Sequence, residues 1–176
     1  MDLSLFGDVL GMPGMNSDVS ADWSRFEQQV GRHLPVDYKE FVSAYGPCEI
    51  FGDLWVWHPR ADVLNLPAAM DRVLSEANFM RSQFPESYPY ALHPDPNGLI
   101  PVAETEAGAI VCLAPPGPDR DSWATVVGWR SSWSYYDYGF CEFLLKALTN
   151  DLEEPFFHES VLEDPGVRYQ VVGQLA

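Results

Sequence analysis

The sequence predicts an α+β fold, in which a single domain has an antiparallel sheet with helices packed on one side. The first observation is the order of the predicted elements: helix, helix, strand, helix, a group of strands, helix. Helices and strands are therefore segregated rather than alternating. The second is a hairpin turn predicted at 104–108 between two strands of that group, which favours antiparallel pairing. The third is the composition, because 47% hydrophobic residues in a chain of 176 suffice for one core.

Apolar residues at helical spacing predict four amphipathic helices. Their apolar faces are, in chain order, Trp23/Phe26/Val30, Tyr38/Phe41/Val42/Tyr45, Met70/Val73/Leu74/Ala77 and Phe140/Phe143/Leu144/Ala147/Leu148. Start and stop signals agree with these faces. Pro35 suits the first turn of the second helix, Asn65 begins the third, and Gly31 and Gly46 end the first two.

Short runs of β-branched, aliphatic and aromatic residues predict the strands. These runs are 54–57, 99–103, 109–114, 123–129 and the aromatic stretch 133–138, with a short final strand at Val171-Val172. Pro101 cannot donate a ladder hydrogen bond, so it places its strand at an edge of the sheet or at a bulge. No internal repeat and no linker divides the chain into two domains.

The charge balance excludes several classes of partner. Ten basic residues stand against 26 acidic ones, giving a formal net charge of −16 and a pI of about 4.3. Such a surface repels nucleic acid and anionic membranes, whereas a cationic protein is attracted to it. The start of the chain lacks the features of a signal peptide, and no run is long enough to span a membrane. We therefore expect a cytoplasmic protein.

The sequence contains no recognisable catalytic, nucleotide-binding or metal-binding motif. Glycines form neither of the phosphate-binding patterns, and the histidines lack the spacing of a zinc site. Cys48, Cys112 and Cys141 form no CxxC pair, so neither a disulfide framework nor a thiolate metal site is predicted. No catalytic residue, metal or cofactor is predicted. A hydrolase that uses His58, His93 or Cys48 stays open as an alternative hypothesis, ranked below the two binding functions given at the end of this section.

Aromatic residues close to carboxylates are the candidates for a protein-binding surface. Alternate residues of a strand point to opposite faces, so some of these rings point away from the core unless the sheet is buried on both sides. Each ring taken singly also fits core packing. As a group, exposed rings among acids suit a cationic protein partner. The predicted partner-binding residues are Trp55, Trp57, Trp133, Tyr135, Tyr136 and Asp137, with Asp53 and Asp95 as charges at the rim.

Short motifs in a fixed order and spacing resemble the SUKH superfamily. The blocks are Trp23-x-x-x-Glu27, Gly31, Leu34-Pro35-x-Asp37-Tyr38-x-x-Phe41 and Tyr45-Gly46, then 54–59, 98–103, 108–113, Trp123-x-x-Val126-Val127 and Phe140-x-x-Phe143-Leu144. Ala109 departs from the pattern, since such proteins often have an acidic residue after the glycine. The resemblance implies a SUKH-like domain over 20–150. Residues 1–19 show little periodicity, and we expect an N-terminal extension or a short, loosely packed segment there. Residues 151–176 form an acidic C-terminal segment that the resemblance does not cover and that packs on the same domain or trails it.

This resemblance implies a binding function rather than catalysis. The superfamily includes bacterial immunity proteins, which bind a toxin domain, often a nuclease or a deaminase, and a yeast regulator of cell-wall synthesis. We expect an immunity protein that neutralises a cognate toxin, and the toxin is expected to be cationic because a nuclease must hold phosphates. The alternative is a regulatory or scaffold module, for which the acidic segment after Asp151 would be the docking element.

Overall fold

Six α-helices and seven β-strands follow one another in the computed structural model, which describes residues 2–15, 20–118, 121–163 and 166–175. The helices are α1 (Ser4–Leu10), α2 (Ser20–Val30), α3 (Val36–Tyr45), α4 (Leu66–Gln83), α5 (Phe140–Leu148) and α6 (Glu159–Glu163). The strands are β1 (Cys48–Ile50), β2 (Leu54–Val56), β3 (Ile100–Thr105), β4 (Ile110–Ala114), β5 (Ala124–Trp129), β6 (Ser132–Tyr136) and β7 (Tyr169–Val171). The predicted α+β class is confirmed, and only β1 among the strands has no counterpart in the predicted set.

All seven strands form one antiparallel sheet in the order β6-β5-β4-β3-β2-β1-β7. Neighbours in the sheet are neighbours in the chain, except that β7 returns to lie beside β1, with Cys48 opposite Val171. Strand β3 lies in the interior of the sheet, and its register shifts between Pro101 and Ala103. Of the two positions predicted for Pro101, the structure therefore has the bulge, which accommodates a residue without an N–H donor.

Helices cover both faces of the sheet. Trp133 and Tyr136 are three residues apart in β6, so their side chains point to opposite faces. The Tyr136 ring contacts Phe143 of α5, with 5.1 Å between the ring centroids. Trp133 lies on the same cross-strand row as Glu104, whose carboxylate pairs with Arg72 of α4. Hence α4 lies on the face opposite α5, and the expectation that the helices pack on one side needs this correction.

Burial explains why one helix lies apart from the others. The apolar stripe of α4 is buried at Met70, Val73, Leu74 and Ala77. Strands β3, β4 and β5 are buried at nearly every position rather than at alternate ones. Strands buried at consecutive residues need cover on both faces, and α4 supplies it on one of them.

The remaining long helices pack together around α5. Tyr38 of α3 lies 5.0 Å from Phe140 and 5.5 Å from Trp23 of α2, measured between ring centroids. Phe6 of α1 lies 5.0 Å from Phe41 and is fully buried. Residues 4–10 thus differ from the loosely packed extension expected for 1–19, because a helix of two turns offers too few apolar positions to show a period.

The longest helix, α4, begins where the sequence indicated. The Asn65 side chain accepts a hydrogen bond from the N–H of Ala68 at 3.1 Å, which satisfies one of the free donors of the first turn.

Among the described residues, no helix combines the length and the apolar character needed to cross a membrane.

Candidate protein-binding surface

An open groove of about 1090 Å³ lies on the α5 face of the sheet, where the strand ends meet the segment 150–161. Its walls come from the β1–β2 turn, the β3–β4 turn, the ends of β5 and β6, and the segment that includes α6. We call it the apolar groove. Its aromatic and large aliphatic lining residues are Phe51, Val127, Trp129, Tyr136, Phe156, Phe157 and Val161.

Ring-on-ring contacts fix the floor of the apolar groove to the core. Phe157 is 1% exposed, and its ring centroid lies 5.4 Å from that of Phe51 and 4.8 Å from that of Phe156. The centroid of the Phe156 ring in turn lies 5.3 Å from that of Phe143 in α5. Edge-to-face and tilted ring pairs of this kind hold side chains in one arrangement. The floor of the groove is therefore packed against the core rather than formed by exposed loop residues.

The rim of the apolar groove is anionic. Four carboxylates line it, from Asp53, Glu106, Glu154 and Glu159, and none of the lining residues is Lys or Arg. Burial raises the pKa of Asp53; a hydrogen bond from the Glu106 N–H opposes this, and the charge of the Glu106 carboxylate adds to it. A cation placed between these two carboxylates would relieve their repulsion, which favours a positively charged ligand over a neutral or negative one.

A smaller cleft of about 630 Å³ lies along the edge strand β6 and shares Ser134, Tyr136 and Glu154 with the apolar groove. We call it the acidic cleft. Its carboxylates come from Asp137, Asp151, Glu153 and Glu154, and its one Lys or Arg is Lys146. The Lys146 ammonium lies 5.7 Å from the centroid of the Tyr138 ring. Four carboxylates against one ammonium leave this cleft with a negative field.

Tyrosines of the acidic cleft respond to the same charges. Burial raises the pKa of Tyr136, and the neighbouring Glu154 carboxylate adds to that effect. Burial also raises the pKa of Tyr138, with further contributions from Tyr136, Glu142 and Glu153. Both phenols stay protonated near neutral pH, so they are available as hydrogen-bond donors.

The structure corrects the prediction that Trp57 contacts a partner. Trp57 is 1% exposed, and its carbonyl accepts a hydrogen bond from the Tyr38 hydroxyl at 3.1 Å. Trp55 is half-buried in β2, where its Nε1 donates to Glu49 at 3.2 Å on the face that α4 covers. Asp95 lies in the loop after α4 and pairs with Arg81 at 3.1 Å. These three residues do not line the groove or the cleft.

The other predicted residues lie around β6 or at the groove. Trp133, Tyr135, Tyr136 and Asp137 line the acidic cleft, and Asp53 lines the apolar groove together with Tyr136. Trp133 is mostly a packing residue, because its Nε1 donates to the Ser87 carbonyl at 2.8 Å and its ring lies between Tyr88 and Tyr90. Tyr135 is 45% exposed. Whether any of them binds a partner stays a prediction.

Sequence reasoning missed the strongest members of the groove. Trp129, which is 45% exposed, lies at the end of a predicted strand and is not among the predicted partner-binding residues. Its separation of two residues from Val127 indicates a shared face, and this signal was available. The adjacent Phe156 and Phe157 stand in an acidic segment, where an apolar pair indicates packing. Phe51 could not be predicted from the sequence, because its own backbone has a positive φ of 55° in the turn after β1, and no sequence motif indicates that conformation.

The three cysteines are placed as core residues rather than as nucleophiles. Cys48 and Cys112 are fully buried, and burial raises the pKa of both thiols far above the ordinary value of 9.0. A thiol that stays protonated is a poor nucleophile. In the part of the chain that the structure describes, no group of three or more His, Cys, Asp or Glu side chains is placed to hold a metal ion.

Comparison with protein families identifies a family for this chain. A family model for the SMI1 / KNR4 family (SUKH-1) matches residues 20–154, which is well over half of the chain. The matched range includes the helices α2 to α5, strands β1 to β6 and the carboxylates of the acidic cleft, and it stops before α6 and β7. Searches of curated proteins and of solved structures give no significant match. The family match covers well over half of the chain, and the seven-stranded α+β fold is consistent with it. The chain therefore belongs to the SMI1 / KNR4 family (SUKH-1) of the SUKH superfamily.

Proposed function

We propose that this protein is an immunity protein that binds and neutralises a cognate, cationic bacterial toxin, and that it acts without catalysis. Membership of the SUKH superfamily supports a binding role of the immunity or regulatory type. The observation that favours a toxin partner is the surface around β6, where an apolar groove with an anionic rim adjoins a cleft of four carboxylates and one lysine. Such a surface suits a basic protein.

Charge gives this proposal a physical mechanism. With a formal net charge of −16, the protein attracts a basic partner at long range and speeds their encounter at low salt. A toxin that acts on nucleic acid has cations where the phosphates bind. Carboxylates presented at that site occupy it in place of the phosphates, so the toxin is blocked by competition and no reaction is required of the immunity protein.

The regulatory alternative requires the acidic segment after Asp151 to act as a docking element. In the structure, the described part of that segment is bound to the domain. Leu152 and Phe157 are buried, and β7 pairs with β1. A segment held by these contacts is packed on the domain rather than free in solution. The acidic segment therefore does not favour the regulatory alternative over the immunity role.

Co-expression with the product of the adjacent gene tests the proposed function. We expect a toxic neighbour, a stable complex between the two proteins and rescue of growth when both are made. The control is the same neighbouring protein made without this chain, in which growth should not be rescued. A neighbour that is not toxic and forms no complex would contradict the immunity role.

Salt dependence tests the electrostatic part separately. We expect the affinity of the complex to fall by about tenfold or more between 50 mM and 500 mM salt, mainly through slower association. Surface plasmon resonance at several salt concentrations measures both rates. A tight complex with an affinity that does not respond to salt would remove the electrostatic mechanism while leaving the immunity role intact.

A further inference from the structure

The apolar groove presents aromatic surface to solvent beside a buried aromatic floor. Trp129 is 45% exposed, whereas Phe51 and Phe157, which line the same groove, are 7% and 1% exposed. Exposed aromatic surface that adjoins a preformed concavity is typical of interaction sites rather than of ordinary protein surface. Tryptophan is also the side chain most enriched among residues that dominate binding energy.

From these contacts we infer that the apolar groove binds a short segment of the partner protein in which one or two large apolar side chains are flanked by Lys or Arg. This inference rests on the proposed function, since it names the surface and the segment through which the cationic partner is held. The apolar side chains enter the groove beside Trp129 and Phe156. The flanking cations meet the rim carboxylates of Glu106, Glu154 and Glu159.

Charge selects the flanking residues. The rim carboxylates of Glu106, Glu154 and Glu159 are exposed, and none of the residues that line the groove is Lys or Arg. An apolar segment with acidic flanks would place like charges against this rim and would be repelled. Opposite charges at a partly exposed rim contribute modestly to affinity and strongly to the choice of partner.

The Trp129 ring already shows that it accepts a guanidinium. The Arg130 guanidinium carbon lies 4.7 Å from the centroid of that ring. A planar cation over the face of Trp is stabilised by the electron density of the ring. An arginine of the partner segment can take the same position when Arg130 moves aside, since Arg130 is exposed.

The shape of the surface favours a chain segment over a compact small molecule. The apolar groove continues into the acidic cleft through the shared residues Ser134, Tyr136 and Glu154. Together they follow the edge strand β6, which has a paired strand on one side only. A peptide that lies along this edge meets apolar surface first and carboxylates next, in the same order as an apolar anchor followed by basic residues.

A designed peptide tests the inference directly. The probe is a 12-residue peptide with Leu and Phe at its centre and three Lys on each side, and its two matched controls replace every Lys by Glu or replace Leu and Phe by Ser. We expect the first peptide to shift the NMR signals of the Trp129 indole and of Phe156, and to bind at least about tenfold more tightly than either control at 50 mM salt. Absence of binding, or shifts centred on the α4 face, would overturn the inference.

Paired variants separate the groove from the rest of the surface. Trp129→Ala and the double change Glu154→Lys with Glu159→Lys should each weaken binding of the peptide by about tenfold. The matched controls lie on α4, on the opposite face. Phe79→Ala removes a ring that is 65% exposed, and Asp71→Lys with Glu76→Lys reverses two exposed charges. Control variants that weaken binding as much as the groove variants would contradict the inference.

The same variants, tested on the complex with the toxin, distinguish the two proposals. A toxin that is neutralised equally well by wild type and by the groove variants would overturn the groove as the docking site and leave the immunity role standing. A groove that binds the basic peptide in a protein without any toxic neighbour would do the reverse. Loss of both peptide binding and neutralisation in the groove variants alone, with the fold retained and only a small change in thermal stability, is the result that we expect.

Discussion

The family motif and the apolar groove lie in two regions of the molecule that differ in where their carboxylates point. In the motif region, the carboxylates form hydrogen bonds within the fold. The Glu27 carboxylate accepts from Lys39 at 2.7 Å and from the Leu34 N–H at 2.9 Å, and the Asp37 carboxylate accepts from the Cys141 N–H at 3.0 Å. At the groove, the carboxylates of Glu106 and Glu159 face solvent.

This contrast explains why the recognisable residues say little about the binding surface. Residues such as Glu27, Asp37 and Tyr38 are constrained because each joins two helices or a helix and the sheet. The exposed residues of the groove, such as Trp129 and Glu159, face solvent rather than the core, so a different partner would favour different residues there. A family pattern therefore identifies the fold, and the structure is needed to find the surface.

The largest effect that we expect is on stability in the motif region. Phe140 is fully buried, with its ring centroid 5.0 Å from that of Tyr38 and 5.7 Å from that of Phe41. Phe140→Ala should lower the free energy of unfolding by about 3–5 kcal/mol, because it removes buried surface and leaves a cavity. Chemical denaturation measures the change.

The matched control in the groove is Trp129→Ala. Because Trp129 is half-exposed, its removal should cost about 1 kcal/mol or less of stability. Equal losses in the two variants would mean that Trp129 is a core residue, and the contrast between the regions would fail.

The buried carboxylate of Glu27 gives the next largest effect. Glu27→Gln should destabilise the fold by about 2 kcal/mol, because an amide cannot accept from Lys39, His33 and the Leu34 N–H together. Glu40→Gln on the exposed side of α3 is the matched control and should change stability little. A cost for Glu40→Gln equal to that for Glu27→Gln would show a general charge effect rather than a specific network.

Acid should remove the contribution of Glu27. Burial acts to raise the pKa of Glu27, but hydrogen bonds from Lys39, His33 and the Leu34 N–H outweigh it, so the pKa lies below its ordinary value of 4.5. A lowered pKa in the folded state gives stability that is present above 4.5 and is lost as the pH falls through the folded value. The stability difference between wild type and Glu27→Gln should therefore shrink between pH 5 and pH 3, which urea unfolding at several pH values can measure.

Sequence patterns predicted the helices well because their apolar faces are amphipathic and their ends have chemical signals. Gly46 ends α3 with a φ of 72°, a conformation that glycine adopts readily, and Asn65 caps α4 with its side chain. The position of α4 on the far face was not predictable in the same way. The apolar stripe of α4 shows which side of the helix is buried, but it does not show which face of the sheet that side packs against.

The candidate surface was predicted only in part. An aromatic run next to acids located β6 and the acidic cleft, because strand residues that are close in sequence stay close in space. The apolar groove joins Phe51, Val127 and Phe157, which are far apart in the chain. Only the sheet order and the return of the C-terminal segment bring them together, and neither is written in a local pattern.

A cap contributed by one helix to another gives a smaller effect. The Asp37 carboxylate of α3 accepts from the second residue of α5, in the place of a capping side chain that Gly139 lacks. Asp37→Ala should cost about 1 kcal/mol, whereas Asp37→Asn keeps an acceptor and should cost less. Thermal unfolding of the two variants compares them. A larger cost for Asn than for Ala would show that the side chain does not act as a cap.

The smallest effect that we expect is at Asp95, which the sequence suggested as a rim charge of the binding surface. Its pair with Arg81 is exposed on both sides, with 32% of the Arg81 side chain and 47% of the Asp95 side chain accessible to solvent. Asp95→Ala should change stability by about 0.5 kcal/mol or less, because exposed ion pairs gain little over solvation. It should also leave peptide binding within about twofold of wild type, since Asp95 pairs with α4 on the face away from the groove. Isothermal titration of the Lys-flanked peptide into Asp95→Ala and into Glu154→Lys with Glu159→Lys compares the two faces directly. A loss at Asp95 as large as at the groove would move the binding surface to the α4 side and reverse the comparison between the two regions.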